Sequence, residues 1–191
     1  MDQGFTKLLL QRRAMLIAPF AFVGLVALSS LGSSDPGGGT GDVGIVEFDD
    51  RGQRLRTARV IKVVKTAAEW KRLLSPQQFY VTRHKSTDTA YTGTYYLLER
   101  PCMFRCICCD TALFRSEEKF YSHTGWPSFW APAAAENIRT FTDTLLLEER
   151  VEVLCRRCDA HLGHVFNDGP EPTNLRYCIN ESSLRFVKRT G

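Results

Sequence analysis

Apolar and polar residues divide the chain into stretches of different character. Lys7, Arg12 and Arg13 precede a charge-free stretch, residues 14–34, with the core Met15-Leu-Ile-Ala-Pro-Phe-Ala-Phe-Val-Gly-Leu-Val-Ala-Leu28. A basic flank followed by an apolar run is the pattern of a signal peptide or signal anchor. At ~1.5 Å per residue the stretch is long enough to cross a hydrocarbon core of ~30 Å. Pro19 and Gly24 weaken it as a permanent span, and Ala27-Leu-Ser-Ser-Leu-Gly-Ser-Ser34 offers small residues for cleavage. Residues 1–34 are therefore expected to be a targeting or membrane-anchor segment, either retained or removed on an organellar or secretory route. Nothing polar alternates along it, which argues against a buried helix of the main domain.

Asp35-Pro-Gly-Gly-Gly-Thr-Gly-Asp42 reads as a flexible connection. The mixed, charged residues up to 65 contain one possible strand, Val60-Ile-Lys-Val-Val64, and residues 35–65 are assigned as a linker. The folded domain is expected over 66–191. Thr66-Ala-Ala-Glu69 matches a capping box, and Trp70, Leu73 and Leu74 give one apolar face to a short helix. Ser75-Pro76 starts a second helical segment, with proline in its first turn. From Thr92 onward, short β-prone runs alternate with turn residues. They are Thr94-Tyr-Tyr-Leu-Leu98, Ala112-Leu-Phe114, Leu145-Leu-Leu147, Val151-Glu-Val-Leu154 and Leu184-Arg-Phe-Val187. This pattern predicts a mainly β domain of antiparallel sheets with short N-terminal helices.

Composition sharpens the picture. Of 191 residues 43% are apolar and 24% charged, enough for one domain with a real core. Twelve Phe, six Tyr and three Trp favour a packed β interior over a helical bundle. The net charge of +4 is spread without a basic block, which argues against nucleic acid as a partner.

Seven cysteines, an odd number, argue against a pure disulfide scaffold. Cys106 and Cys109 form one CxxC step, Cys155 and Cys158 another. Two such steps far apart in one chain are the usual way to build a tetrahedral four-thiolate zinc site. Four thiolates leave no open coordination position, so the metal's role would be structural. Two redox disulfides, or unrelated buried cysteines, are the alternatives. Each step is followed by an aspartate, Asp110 or Asp159, which tolerates a tight turn better than most residues.

That leaves Cys102, Cys108 and Cys178. Cys178 lies shortly after His161 and His164, so it is a candidate redox or nucleophilic thiol with a possible proton source nearby. Gly125-Trp126-Pro127 describes a rigid turn displaying an indole, which could receive a methyl group or a soft sulfur, or could simply be a core tryptophan.

Together these strings resemble the methionine sulfoxide reductase B family. The resemblance covers residues 67–187 and rests on several rare strings in order. They are Glu69-Trp70 with Leu74-Ser-Pro76, Arg105-Cys106 through Leu113-Phe114, Gly125-Trp-Pro-Ser-Phe129, Ala160-His-Leu-Gly-His-Val-Phe166 with Asp168-Gly-Pro170, and Arg176-Tyr-Cys-Ile-Asn180. It implies a SelR-like fold of two antiparallel sheets, with structural zinc on Cys106, Cys109, Cys155 and Cys158, away from the active site. It implies reduction of the R-epimer of methionine sulfoxide in oxidised proteins, a repair activity, by a monomer with thioredoxin as the usual reductant.

By position, the resemblance implies Cys178 as nucleophile and Trp126 as the wall for the substrate methyl, with Phe129 and Arg176 also on the substrate side. It implies His161 and His164 as orienting and proton-supplying groups, and Asn180 as a hydrogen-bonding partner. Asp168 and Arg176 stand behind them. The chain departs from the family at two places. Many members carry a resolving cysteine where this chain has Thr124, so Cys102, Cys108 or no internal cysteine must serve the resolving step. Glu181 stands where serine is usual. The alternative function is a non-catalytic, zinc-stapled ligand-binding module on the same fold. Such modules typically lack the nucleophile that Cys178 supplies here.

Overall fold

A computed structural model describes residues 41–143 and 150–189. The expected leader and the Leu145-Leu-Leu147 run lie outside these residues. Among the described residues no helix is long and apolar enough to cross a membrane.

The first described element corrects the linker assignment for residues 42–61. β1 (Asp42–Phe48) and β2 (Arg54–Ile61) form an antiparallel hairpin. The first half of β2 is exposed on both faces, and only Ala58 and Val60 are partly buried beyond it, so little of its sequence shows the alternation that betrays a half-buried strand. β1 supplies the anchoring. It buries Ile45, Val46 and Phe48, and the buried Asn137 amide grips Val46 from both sides. Val46 N–H donates to Asn137 Oδ1 at 2.7 Å, and Asn137 Nδ2 donates to Val46 O at 2.8 Å.

α1 (Ala67–Leu73) starts with the expected capping box. Glu69 N–H donates to Thr66 Oγ1 at 3.3 Å, and Thr66 N–H donates to Glu69 Oε2 at 2.7 Å. Trp70 and Leu74 are buried, whereas Leu73 faces solvent. α2 (Pro76–His84) repeats the device with Ser75 and Gln78 and ends where Lys85 turns left-handed. Trp70, Leu74 and Phe79 lock the two helices together.

Residues 94–98 were expected as a strand. Tyr95–Leu97 is instead a 3₁₀ turn. The Glu181 carboxylate accepts from the Thr94 and Tyr95 N–H groups, 2.7 Å each, and this cap at the start of the turn curls the segment.

The remaining strands are β3 (Cys102–Cys106), β4 (Ala112–Arg115), β5 (Lys119–Phe120), β6 (Ser128–Phe129), β7 (Ile138–Asp143), β8 (Arg150–Cys155), β9 (His161–Phe166), β10 (Arg176–Ile179) and β11 (Leu184–Lys188). They make a three-stranded sheet, β11-β3-β4, and a six-stranded sheet, β5-β6-β10-β9-β8-β7. All pairings are antiparallel, so the fold is mainly β as expected. Phenylalanines join the sheets. Phe114 stacks on Phe129 at 4.4 Å, and Phe104 meets Phe129 edge-on at 5.2 Å. Burying each such side chain is worth ~1.5–3 kcal/mol.

Two features of the larger sheet place the chemistry. β10 is an inner strand, and Cys178 pairs with Ser128 on one side and His164 on the other. β9 carries a bulge. Glu152 pairs with His164 and Val153 with Gly163, but Leu154 pairs with His161, which leaves Leu162 as the extra residue. On a regular strand, residues three apart point to opposite faces. The bulge restores the phase, and the His161 and His164 rings meet edge-on at 5.4 Å.

Candidate active site

A cavity of about 150 Å³ opens over β9 and β10, lined among others by Cys178, His164, Phe166, Asn180, Trp126 and Arg150. Cys178 is half-buried in it. Burial pushes its thiol up, while the Arg176 guanidinium and hydrogen bonds from Thr124 and Arg176 pull the other way. The net result lies above the ordinary value. Arg176 does not line the cavity. It is bound to Asp168 through two bonds of 2.8 Å and lies 4.5 Å over the Phe166 ring. Its influence on the sulfur comes from behind.

Trp126 is half-buried, displayed by a turn that only glycine can make. Gly125 has φ +88°, and a Cβ there would meet Tyr91 N at 2.7 Å. The indole Nε1–H donates to Asp88 O at 2.9 Å. Asn180 is fixed by three bonds. Its backbone N–H donates to Leu162 O at 2.8 Å, its Nδ2 donates to the same oxygen at 3.2 Å, and its Oδ1 accepts from Asp88 N–H at 2.9 Å.

His164 lines the cavity; His161 does not. His161 is buried beneath, with Nδ1 2.7 Å from Glu152 Oε1. Glu152, also buried, receives Lys85 Nζ on its other oxygen at 2.7 Å. Burial raises this carboxyl, but bonds from His161 and Lys85 outweigh it, and the group lies below the usual carboxylate range.

Three more of the expected residues lie away from the cavity. Phe129 is fully buried in the aromatic core rather than facing the cavity. Its neighbour Ser128 is the β6 residue paired with Cys178, and alternation along the strand sends the Phe129 ring to the other face. Cys102 is buried on β3 among Ser116, Glu117, Lys119 and Arg189, with its thiol pushed up to about 11 by burial and then by Glu117. Cys108 lies inside the first CxxC turn and packs on the Trp70 cluster. Neither cysteine lines the Cys178 cavity. The hydroxyl that acts on the Cys178 thiol is that of Thr124.

The four remaining cysteines converge. The sulfurs of Cys106, Cys109, Cys155 and Cys158 all lie within 4.8 Å of one another. Cys106 Sγ is 3.6 Å from Cys158 Sγ, and Cys109 Sγ is 3.5 Å from Cys155 Sγ. A tetrahedron with Zn–S bonds of ~2.3 Å has edges of ~3.8 Å, so the cluster is suited to zinc. The two CxxC turns are built alike. Asp110 N–H donates to Cys106 O at 2.9 Å, and Asp159 N–H donates to Cys155 O at 3.0 Å. Both aspartates are left-handed, with φ of 63° and 53°, as their positions in the sequence suggested. One turn follows β3 and the other follows β8, so a metal here staples the two sheets.

Glu152 and Asp88 were missed by the sequence reading. Glu152 had a signal: it is the lone acid inside an otherwise apolar strand run, Val151-Glu-Val-Leu154. Asp88 had none, because its contacts are to residues distant in sequence.

Comparison with known proteins agrees with this arrangement. Residues 74–188 match the model of the SelR domain family. The chain is 48% identical over 130 residues to "Peptide methionine sulfoxide reductase MsrB" of Hahella chejuensis, covering 68% of this chain and 94% of that protein. It is 50% identical over 122 residues to the protein of the same name from Synechococcus sp. (strain RCC307), covering 64% and 90%. It is 49% identical over 124 residues to "Peptide methionine sulfoxide reductase B1, chloroplastic" of Oryza sativa subsp. japonica, covering 64% and 58%. The family match spans more than half of the chain and includes the cavity, its thiol and both CxxC turns: the chain belongs to the SelR domain family.

Proposed function

We propose that the chain reduces methionine sulfoxide to methionine on Cys178, that it takes the R-epimer, and that its substrates are oxidised proteins. The observation that carries this reading is the cavity itself, in which a thiol, an indole, an imidazole and a carboxamide converge at the scale of one side chain. The names of the relatives support the reaction class.

The chemistry follows from these groups. The sulfoxide methyl rests on the Trp126 face, and Asn180 and His164 address the oxygen. The Cys178 thiol gives its proton to the His164 imidazole as its sulfur attacks the sulfoxide sulfur, and the imidazolium so formed passes that proton to the oxygen, which would otherwise leave as a poor anion. The oxygen passes to Cys178 as a sulfenic acid, and methionine departs. His164 is the proton donor at the cavity, with His161 behind it, oriented by Glu152.

Two external thiols then reduce the sulfenic acid, giving a disulfide, water and free Cys178. Thioredoxin or a similar dithiol fits this role. Direct reduction is favoured over an internal disulfide, because Cys102 and Cys108 stay outside the cavity. Zinc, when bound by the four clustered cysteines, serves as a structural staple and takes no part in turnover. Residues 1–34 act as an anchor or cleaved leader, which N-terminal sequencing of protein isolated from cells would decide.

Turnover of separate R- and S-epimers of a chromophore-tagged methionine sulfoxide, with dithiothreitol as reductant, tests the reading. Reduction of the R-epimer alone is expected, and preference for the S-epimer would overturn it.

A further inference from the structure

We infer that Asp88 is a positioning residue that fixes Trp126 and Asn180, the two ends of the substrate cavity, from one point of the chain. Its backbone contacts both. Asp88 O accepts from Trp126 Nε1 at 2.9 Å, and Asp88 N–H donates to Asn180 Oδ1 at 2.9 Å. Trp126 lies just before β6 and Asn180 just after β10; the pairing of these strands and a 2.9 Å bond from Ile179 N–H to Pro127 O set their backbones, but not how the indole and the carboxamide are turned. Asp88 sets that.

Loop backbone is ordinarily a poor reference point, because loops shift more easily than strands. The Asp88 carboxylate removes that freedom. Oδ1 accepts from Gln77 Nε2 of α2 at 2.8 Å and from Ser182 Oγ at 2.7 Å, and Oδ2 accepts from Ser182 N–H at 2.8 Å. Asp88 is buried, so these bonds are little contested by water. The same loop is tied again six and seven residues on. Glu181 accepts from Thr94 N–H and Tyr95 N–H, and Gly93 leaves it room, since a Cβ there would lie 2.0 Å from Glu181 Oε2. Glu181, the departure from the family pattern, thereby holds the far end of the loop to the turn that holds Asp88.

The consequences reach the chemistry, and this step rests on the sulfoxide reductase reading. With Oδ1 of Asn180 occupied by Asp88, the amide nitrogen is the group left over. One of its N–H bonds goes to Leu162 O, and the other remains as a donor suited to a sulfoxide oxygen. The bond from Nε1 fixes the rotation of the Trp126 indole and so the face offered to the methyl group. Asp88 thus sets how the amide at the oxygen end and the indole at the methyl end are turned toward the substrate.

Asp88→Ala keeps the backbone groups that touch Trp126 and Asn180 but removes the anchor. Asp88→Asn can keep all three anchoring bonds if the Gln77 amide turns over, and it serves as the conservative control. For Asp88→Ala we expect KM for methionine sulfoxide to rise about tenfold, with a smaller fall in kcat. We also expect solvent exchange of the Trp126 indole N–H, followed by NMR, to quicken at least about tenfold. Asp88→Asn should stay near wild type in both. Unchanged indole exchange in Asp88→Ala, or equal damage in Asp88→Asn, would overturn the inference. If Asp88→Ala does not fold, Gln77→Leu carries the test, since it removes one anchor from an exposed helix position. Faster indole exchange in that variant supports the inference, and unchanged exchange overturns it. Exchange needs no turnover, so a wild-type protein inactive on sulfoxides would sink the functional reading alone.

Discussion

Gly163 passes so close to Cys178 that a Cβ on it would stand 2.0 Å from the Cys178 carbonyl oxygen. Its φ of +154° also lies where side-chain-bearing residues are rare. This contact lets β9 run tightly against β10 directly after the Leu162 bulge, which holds His164 opposite Cys178. Gly163→Ala should therefore force the strands apart. We expect a loss of ~3 kcal/mol in urea unfolding and a fall of ~100-fold in turnover as the thiol and imidazole separate. Wild-type stability and activity in this variant would mean that the strands are not in contact here.

Glu152 predicts a pH signature in stability. Its carboxyl is held below the ordinary value of 4.5. A depressed acid stabilises the fold above the unfolded-state pKa, and that contribution disappears as pH falls through the lower folded-state value. Glu152→Gln should thus be less stable than wild type by ~2 kcal/mol near neutral pH. The gap should close in the acid range below 4.5. Denaturant melts of both proteins at several pH values check this, and a gap that is constant with pH would contradict it.

The cysteine cluster predicts one zinc per chain. Binding free energies of structural zinc are ~10–16 kcal/mol, comparable with or larger than the ~5–15 kcal/mol stability of a typical domain. Cys106→Ser or Cys155→Ser should release the metal and unfold the domain or lower its melting temperature sharply. Elemental analysis together with thermal melting decides the matter. A wild-type protein that is folded and metal-free would refute the structural role.

The burial of Cys102, and the position of Cys108 beside the metal cysteines, predict that recycling uses no internal disulfide. Cys102→Ala and Cys108→Ala, where folded, should keep both dithiothreitol- and thioredoxin-supported turnover. Peptide mapping of oxidised protein should find neither a Cys102–Cys178 nor a Cys108–Cys178 crosslink. Either crosslink would name a resolving cysteine and require the chain to move to form it.

What the sequence revealed followed local chemistry. The capping box at Thr66, the helix start at Ser75-Pro76, the two CxxC turns followed by Asp110 and Asp159, and the β-prone runs 112–114, 151–154 and 184–187 all express rules acting over a few residues. What it concealed depended on distant partners. The first half of β2 is exposed on both faces and so shows no strand period, and residues 95–97 curl because Glu181 caps them from far away. His161 and His164 share a face only because of a bulge, which the spacing of two histidines does not reveal. Phe129 belongs to a motif that resembles a substrate wall, yet alternation along β6 sends its ring into the core. In the motif reading Cys178, Trp126, His164 and Asn180 had only a resemblance to link them; the fold gathers them around one cavity.

The central claim is that Cys178 takes the oxygen from methionine sulfoxide. A single turnover without reductant tests it most directly, with methionine counted per chain and Cys178 probed by a sulfenic-acid trap. Wild-type protein should release one methionine per chain and carry the trapped adduct on Cys178, while folded, zinc-loaded Cys178→Ser should release none. Methionine release by Cys178→Ser at the wild-type rate, or wild-type turnover with no adduct on Cys178, would contradict the claim.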